Sequence, residues 1–154
     1  MRSSRVSLLD LNLLIALAWP NHVHHRAALR WFDRNHKDGW ATCPQTQSGF
    51  VRVSSNAHIL PGARSPREAL AILRRIVALP DHVFWHDDIS IAATEFVDET
   101  KLHGHRQVSD IHLLAVALRH EGRFATLDRG VMHLVPAAYN AVDILSIVID
   151  EAPS

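Results

Sequence analysis

Short apolar runs alternate along this chain with segments whose apolar residues recur at helical spacing, and this alternation restricts the fold more than any other feature. The apolar runs predict strands near residues 6–9, 40–42, 82–85, 124–127 and 142–149. Short strands that alternate with helices are typical of a three-layer α/β/α domain. We therefore predict an α/β fold with a mainly parallel central sheet, in which residues 1–154 form one domain.

Caps and helix-breaking residues mark the predicted helices. Ser65, Pro66 and Glu68 combine an N-cap, a first-turn proline and a capping-box acid, which predicts that a helix begins there. The other predicted helices begin at Leu11, cover about 22–35, run from Pro44 to about Ser54, cover 89–101, and run from Asp110 towards Gly122.

Composition excludes several classes of protein. The chain has 16 Lys and Arg against 16 Asp and Glu, so it does not hold nucleic acid by bulk positive charge, and any such contact must be local. Its one cysteine, Cys43, cannot form an internal disulfide, and we therefore expect a cytoplasmic protein. Asp10 and Asn12 interrupt the apolar stretch of residues 8–19, which is too short to cross a bilayer, so no membrane partner is expected.

Three aspartates stand at predicted ends of strands or helices. Asp10 follows the first strand, Asp128 follows the strand of residues 124–127, and Asp110 opens a helix after a loop. In open α/β sheets, ligands bind beyond the carboxyl ends of the strands. Clustered carboxylates repel one another unless a cation or a proton neutralises them, and Mg²⁺ and Mn²⁺ prefer such oxygen ligands. Taken singly, each aspartate also fits a helix cap or a turn.

Residues 8–12 (LLDLN), 108–113 (VSDIHL) and 125–130 (ATLDRG) carry these aspartates. The three segments resemble, in order, spacing and context, the aspartate motifs of PIN-domain ribonucleases, and more specifically those of VapC-type toxins. The likeness extends from about residue 6 to residue 149. It implies a Mg²⁺- or Mn²⁺-dependent endoribonuclease with Asp10, Asp110 and Asp128 as catalytic metal ligands. It also implies an RNA substrate, a homodimer and a VapB-type protein antitoxin that neutralises the enzyme.

The sequence departs from this pattern at one catalytic position. VapC relatives usually carry a glutamate early in the helix after the second strand, where this chain has Gln47. Glutamine keeps a carbonyl acceptor and lacks the negative charge. An engineered inactivating change, a natural member with weakened metal binding and a site that needs only three acids all fit this observation. Gln47 also keeps an alternative function open, a catalytically silent module that binds antitoxin or RNA without turnover.

Other side chains near the aspartates are candidates for supporting roles. Asn12 and Thr126 are expected either to hydrogen-bond a metal-ligating carboxylate or water, or to serve as local caps. His112 lies next to Asp110 on the same helix and is expected to line the cleft. Arg52 and Arg129 are the candidate contacts for RNA phosphates, because the guanidinium group binds phosphate oxygens in pairs.

The chain contains 12 histidines, which raises the question of a transition-metal site. His22, His24 and His25 cluster, but neither they nor Cys43 have the spacing of a zinc site. We therefore expect these imidazoles to face solvent or to form local hydrogen bonds.

Overall fold

The computed structural model describes residues 5–149, and its centre is a five-stranded sheet. The strands are β1 (Ser7–Leu9), β2 (Trp40–Thr42), β3 (His82–Phe84), β4 (Arg123–Thr126) and β5 (Leu145–Ile147). They pair in the order β3-β2-β1-β4-β5, and every pair is parallel. After β1 the chain adds strands first on one side, β2 and β3, and then on the other, β4 and β5. Such a switch in strand order creates a crevice at the carboxyl ends of the central strands.

Helices cover both faces of the sheet. They are α1 (Leu11–Ala18), α2 (His25–Asn35), α3 (Pro44–Ser54), α4 (Pro66–Val77), α5 (Val108–Arg119) and the short α6 (Ala141–Ile144). Successive residues of β1 face opposite sides, as the pleat requires. Leu8 packs into the core around α5, whereas Leu9 packs into the core around α1 and α2. This arrangement confirms the three-layer α/β/α prediction.

The predicted helix over residues 89–101 is wrong. That segment consists of turns and irregular chain, with one 3-10 turn at Glu99–Lys101. Asp87, Thr94 and Asp98 each accept a hydrogen bond from the backbone N–H two residues further on. Such local bonds compete with the helical pattern, so short polar side chains override weak apolar spacing here.

The predicted last strand is also shorter than expected. The Asn140 side chain accepts a hydrogen bond from the Val142 N–H and caps α6, which occupies the first part of the predicted strand. Only Leu145–Ile147 pair with β4. Among the described residues, no helix is both long enough and apolar enough to cross a membrane.

Candidate active site

Asp10 lies at the junction of β1 and α1 and is almost completely buried, with 5% of its surface exposed. Its Oδ1 accepts a hydrogen bond from the Leu11 N–H at 2.7 Å, and its Oδ2 accepts one from the Thr126 hydroxyl at 2.7 Å. Burial raises the pKa of Asp10, the two hydrogen bonds oppose that rise, and the Asp128 carboxylate adds to it. Asp10 is therefore both a helix cap and part of a longer-range cluster.

Thr126, at the end of β4, joins the two central strands through its hydroxyl. Besides donating to Asp10, its Oγ1 accepts the Asp128 N–H at 3.0 Å and the Asn12 side-chain amide at 3.4 Å. Asn12 in turn accepts the Leu127 N–H through Oδ1 at 3.3 Å. These bonds use the one donor and both acceptor positions of a threonine hydroxyl. Thr126 and Asn12 thus fix the chain on either side of the aspartates.

Asp110 and Asp128 complete the acidic cluster of Asp10, Asp110 and Asp128. Asp110 lies in the first turn of α5 and is partly buried, and Asp128 is exposed, with its Oδ1 accepting the Gly130 N–H at 2.8 Å. Burial, followed by the nearby carboxylates of Asp10 and then Asp128, raises the pKa of Asp110 to about 7. The fold therefore places three aspartates that are distant in sequence close enough for their charges to interact.

A cavity of about 420 Å³ opens beside the acidic cluster, with walls formed by α1, α3 and α5. Asp10 and Asp110 line it, as does Arg52, one of the two arginines predicted to contact RNA. His22, from the turn that follows α1, lines the same cavity. The second predicted arginine, Arg129, is exposed directly after Asp128.

Comparison with known proteins identifies the family. The PIN domain family profile matches residues 7–135. The chain belongs to the PIN-domain family, in its VapC group. It is 46% identical over 122 residues to Ribonuclease VapC39 of Mycobacterium tuberculosis (strain ATCC 25618 / H37Rv), which covers 79% of this chain and 88% of that protein.

Two further relatives from the same strain match a similar share of this PIN domain. Ribonuclease VapC38 is 44% identical over 129 residues, covering 84% of this chain and 89% of the relative. Ribonuclease VapC44 is 40% identical over 133 residues, covering 86% of this chain and 93% of the relative. The resemblance derived from the aspartate motifs is thereby confirmed at the level of the family.

The acidic cluster of this PIN domain fits a divalent cation in chemistry and charge. Within residues 5–149, no group of three or more His, Cys, Asp or Glu side chains is already arranged to hold a metal ion. However, burial and two neighbouring carboxylates disfavour the charged form of Asp110, and a cation would relieve that repulsion. Carboxylate oxygens are the ligands that Mg²⁺ and Mn²⁺ prefer, so the three side chains are of the right chemical kind for such an ion.

Gln47 lies in the first half of α3, and its amide is engaged outside the acidic cluster. Its Nε2 donates to the Thr42 hydroxyl at 3.0 Å, and that hydroxyl lies 2.8 Å from His82 Nε2. Gln47 is not among the residues that line the cavity beside Asp10. The structure therefore shows no contact between Gln47 and the aspartates, and its catalytic role stays a prediction.

Contrary to the expectation from the sequence, His112 does not line the cavity. Its Nε2 lies 2.8 Å from the Asp87 carboxylate, so its ring ties α5 to the segment that follows β3. Asp110 and His112 are two residues apart on a helix, and such positions point to different sides. This geometry explains why the cavity receives Asp110 and not His112.

Sequence reasoning missed His22. The prediction of a local hydrogen bond was correct, since His22 Nδ1 accepts the His24 N–H at 3.0 Å. The same ring nevertheless lines the cavity of the acidic cluster. The histidine cluster in the sequence was the available signal, but nothing in its spacing indicated the cavity.

Proposed function

We propose that this PIN domain is a Mg²⁺- or Mn²⁺-dependent endoribonuclease that hydrolyses RNA phosphodiester bonds. The observation that carries the proposal is the convergence of the three aspartates: Asp10 and Asp110 line one cavity, and the Thr126 hydroxyl joins Asp10 to the backbone of Asp128. Such an accumulation of negative charge at the edge of an α/β sheet is typical of a divalent-cation site. The relatives' shared name, ribonuclease, supports RNA as the substrate.

Asp10, Asp110 and Asp128 would hold the ion. When bound, a divalent cation at such a site lowers the pKa of a water molecule and stabilises negative charge on a phosphodiester. Thr126 and Asn12 would keep Asp10 and the chain entering Asp128 in position through the hydrogen bonds described above.

Other side chains would bind the substrate. Arg52 would neutralise a phosphate inside the cavity, and Arg129 would do so beside Asp128. No side chain of the protein needs to act as the nucleophile in this mechanism, because water is the attacking group.

We further propose that the enzyme is the toxin of a toxin–antitoxin pair, with a small VapB-type antitoxin as its partner, and that it acts in the cytoplasm as a homodimer. The acidic cluster supports this pairing, because a basic side chain of an antitoxin would satisfy the same charge that attracts a cation. The relatives are named ribonucleases, which favours catalytic turnover over the alternative that Gln47 suggested, a module that binds antitoxin or RNA without cleaving it.

Cleavage of a labelled single-stranded RNA by the purified chain tests the activity. We expect cleavage with Mn²⁺ or Mg²⁺, loss of cleavage with EDTA and recovery when Mn²⁺ is added in excess. Asp10→Asn should abolish cleavage and retain the native circular dichroism spectrum, because asparagine can still accept the Leu11 N–H. Its thermal midpoint should fall, because the asparagine amide N–H group would face the Thr126 hydroxyl, whose acceptor positions are already used. Asp33→Asn, on the exposed side of α2, is the matched control.

Each negative result has a distinct meaning. Full activity of Asp10→Asn would refute the assignment of the acidic cluster. RNA binding by the wild type without cleavage under any metal condition would support the silent module instead.

A further inference from the structure

The cavity of about 420 Å³ beside the acidic cluster has aliphatic side chains in its walls. Leu11 and Ile15 of α1, Val53 of α3 and Leu113 of α5 all line it. Ile15 and Leu113 also belong to the two cores on either side of the sheet, so these parts of the wall are held by core packing. Clefts of roughly 300–1,000 Å³ with apolar walls and a few polar groups are typical of sites for small organic ligands. Such walls suit the faces of a ring better than a row of charged phosphates.

Gln45 supplies a polar group to this cavity, and its side chain is partly buried. Asn12 and Thr46 line the same cavity, but their polar atoms are engaged within the protein. The Asn12 amide donates to Thr126, and the Thr46 hydroxyl donates to the Cys43 carbonyl. Within residues 5–149, by contrast, the Gln45 amide forms no hydrogen bond. Gln45 therefore offers the cavity both the donors and the acceptor of an unused amide.

The start of α3 explains why Gln45 lies beside the acidic cluster. The pairing of β1 with β2, continued by two residues, sets Asp10 level with the residue that precedes α3. Adjacent strands are about 4.8 Å apart, and Gln45 is the second residue of α3, so it begins close to Asp10. Gln47, two residues further along the helix, points to a different side, where its amide donates to Thr42. The two glutamines of this helix therefore have different surroundings.

The Gln45 amide carries no charge, and this determines which ligand it suits. A phosphate is bound more strongly by a charged donor such as a guanidinium group. Carboxylates supply negative charge to Mg²⁺ or Mn²⁺, which an amide does not. The edge of a nucleobase carries neighbouring donors and acceptors and no charge, so it matches both groups of the amide. Aliphatic walls and a neutral amide thus fit a nucleobase.

We propose that the cavity receives the base of an unstacked RNA nucleotide next to the cleaved phosphate, and that the Gln45 amide hydrogen-bonds to the edge of this base. The inference rests on the proposed function for its choice of RNA. Proteins recognise single-stranded RNA through bases that leave the stack and expose their edges. A glutamine amide can accept from adenine N6 and donate to adenine N7, whereas guanine presents two acceptors, O6 and N7, at that edge. Gln45 therefore favours adenine over guanine.

Equilibrium binding to three short RNAs tests this base recognition without turnover. Each RNA is a fluorescein-labelled oligouridylate whose central base is adenine, guanine or unsubstituted purine, which keeps N7 and lacks the N6 amino group. Fluorescence anisotropy in EDTA gives the dissociation constants. The wild type should bind the adenine RNA at least ~fivefold more tightly than the guanine RNA, the lower limit for a paired contact of this kind. The purine RNA should fall between them, because it loses one of two hydrogen bonds.

Gln45→Leu removes the amide and keeps a side chain of similar size that is a good helix former. It should bind the adenine and guanine RNAs equally. Ser48→Leu is the matched control, because it places the same residue on the exposed surface of α3, outside the cavity, and should retain the preference for adenine. Circular dichroism and Mn²⁺ calorimetry on both variants would show that the fold and the acidic cluster remain intact.

Each outcome bears on the proposal. Equal affinity of the wild type for the adenine and guanine RNAs would overturn it, as would a wild type that binds no RNA or a preference that Gln45→Leu retains. Weaker Mn²⁺ binding by Gln45→Leu, with the RNA preference unchanged, would assign the amide to the metal site and also overturn it. A preference for adenine that depends on Gln45, without cleavage when Mn²⁺ is added, would support the base pocket and refute the endoribonuclease activity. Cleavage without any base preference would do the reverse.

Discussion

Replacement of Asp110 by asparagine is expected to stabilise the folded chain at neutral pH. Burial and the carboxylates of Asp10 and Asp128 raise the pKa of Asp110 from the usual 3.8 to about 7. Between these two values the folded chain keeps a proton that the unfolded chain releases. The free energy of unfolding therefore falls as the pH rises through this window, and the loss is complete above about pH 7.

The size of the effect follows from the same shift. A difference of about three pKa units corresponds to roughly 4 kcal/mol. Because Asp110 is only partly buried, solvent screening reduces this value, and we expect about 2 kcal/mol. Asparagine has a similar shape and no charge, so Asp110→Asn should unfold with a free energy about 2 kcal/mol above that of the wild type at pH 8. At pH 5 the gain should be less than half as large.

Urea denaturation in EDTA at pH 5 and pH 8, followed by circular dichroism, measures this difference. Asp33→Asn, on the exposed side of α2, should stay within about 0.5 kcal/mol of the wild type at both pH values. Added Mn²⁺ at pH 8 should stabilise the wild type and have a much smaller effect on Asp110→Asn. A variant no more stable than the wild type at pH 8, or one equally stabilised at both pH values, would refute the electrostatic argument.

Three further substitutions test separate parts of the molecule. Asp128→Asn should abolish RNA cleavage and keep the thermal midpoint, because its side-chain oxygen can still accept the Gly130 N–H; cleavage at the wild-type rate would remove Asp128 from the site. Gly122→Ala should cost about 3 kcal/mol in urea denaturation, since its Cβ would lie 2.5 Å from the Val6 carbonyl oxygen and against the Trp85 ring; unchanged stability would contradict this packing. Gln47→Glu should tighten Mn²⁺ or Mg²⁺ binding, and unchanged affinity by calorimetry would show that position 47 is not at the metal site.

The sheet and the acidic cluster were accessible from sequence because their signals are local. Asp10 directly follows the apolar residues of β1, and Asp128 follows the end of β4 by two residues, so a carboxylate marks the end of each strand. Parallel pairing then brings the carboxyl ends of the strands to one edge, whatever their separation along the chain. The order and direction of the strands are therefore enough to predict that Asp10, Asp110 and Asp128 lie near one another.

The segment after β3 and the cavity were not accessible in the same way. Residues 89–101 contain apolar side chains at helical spacing, yet Asp87 and Thr94 bond the backbone locally, and the balance between these effects is not visible in a pattern. His22 is hydrogen-bonded through its N–H to the Trp19 carbonyl, and the Trp19 ring donates to Ser54, 35 residues further along the chain. A side chain placed by such a contact has no signature in the spacing of its neighbours.

The surroundings of Gln47 allow an acid at that position without repacking. The Thr42 hydroxyl accepts from the Gln47 amide in this chain, and it can equally donate to a carboxylate. It would then need a donor on its other side, and His82 Nε2, 2.8 Å away, supplies one if the neutral ring changes tautomer. Burial lowers the pKa of His82 and so favours the neutral ring in this chain. Gln47→Glu should therefore fold normally, and any change in its metal affinity can be attributed to the added charge.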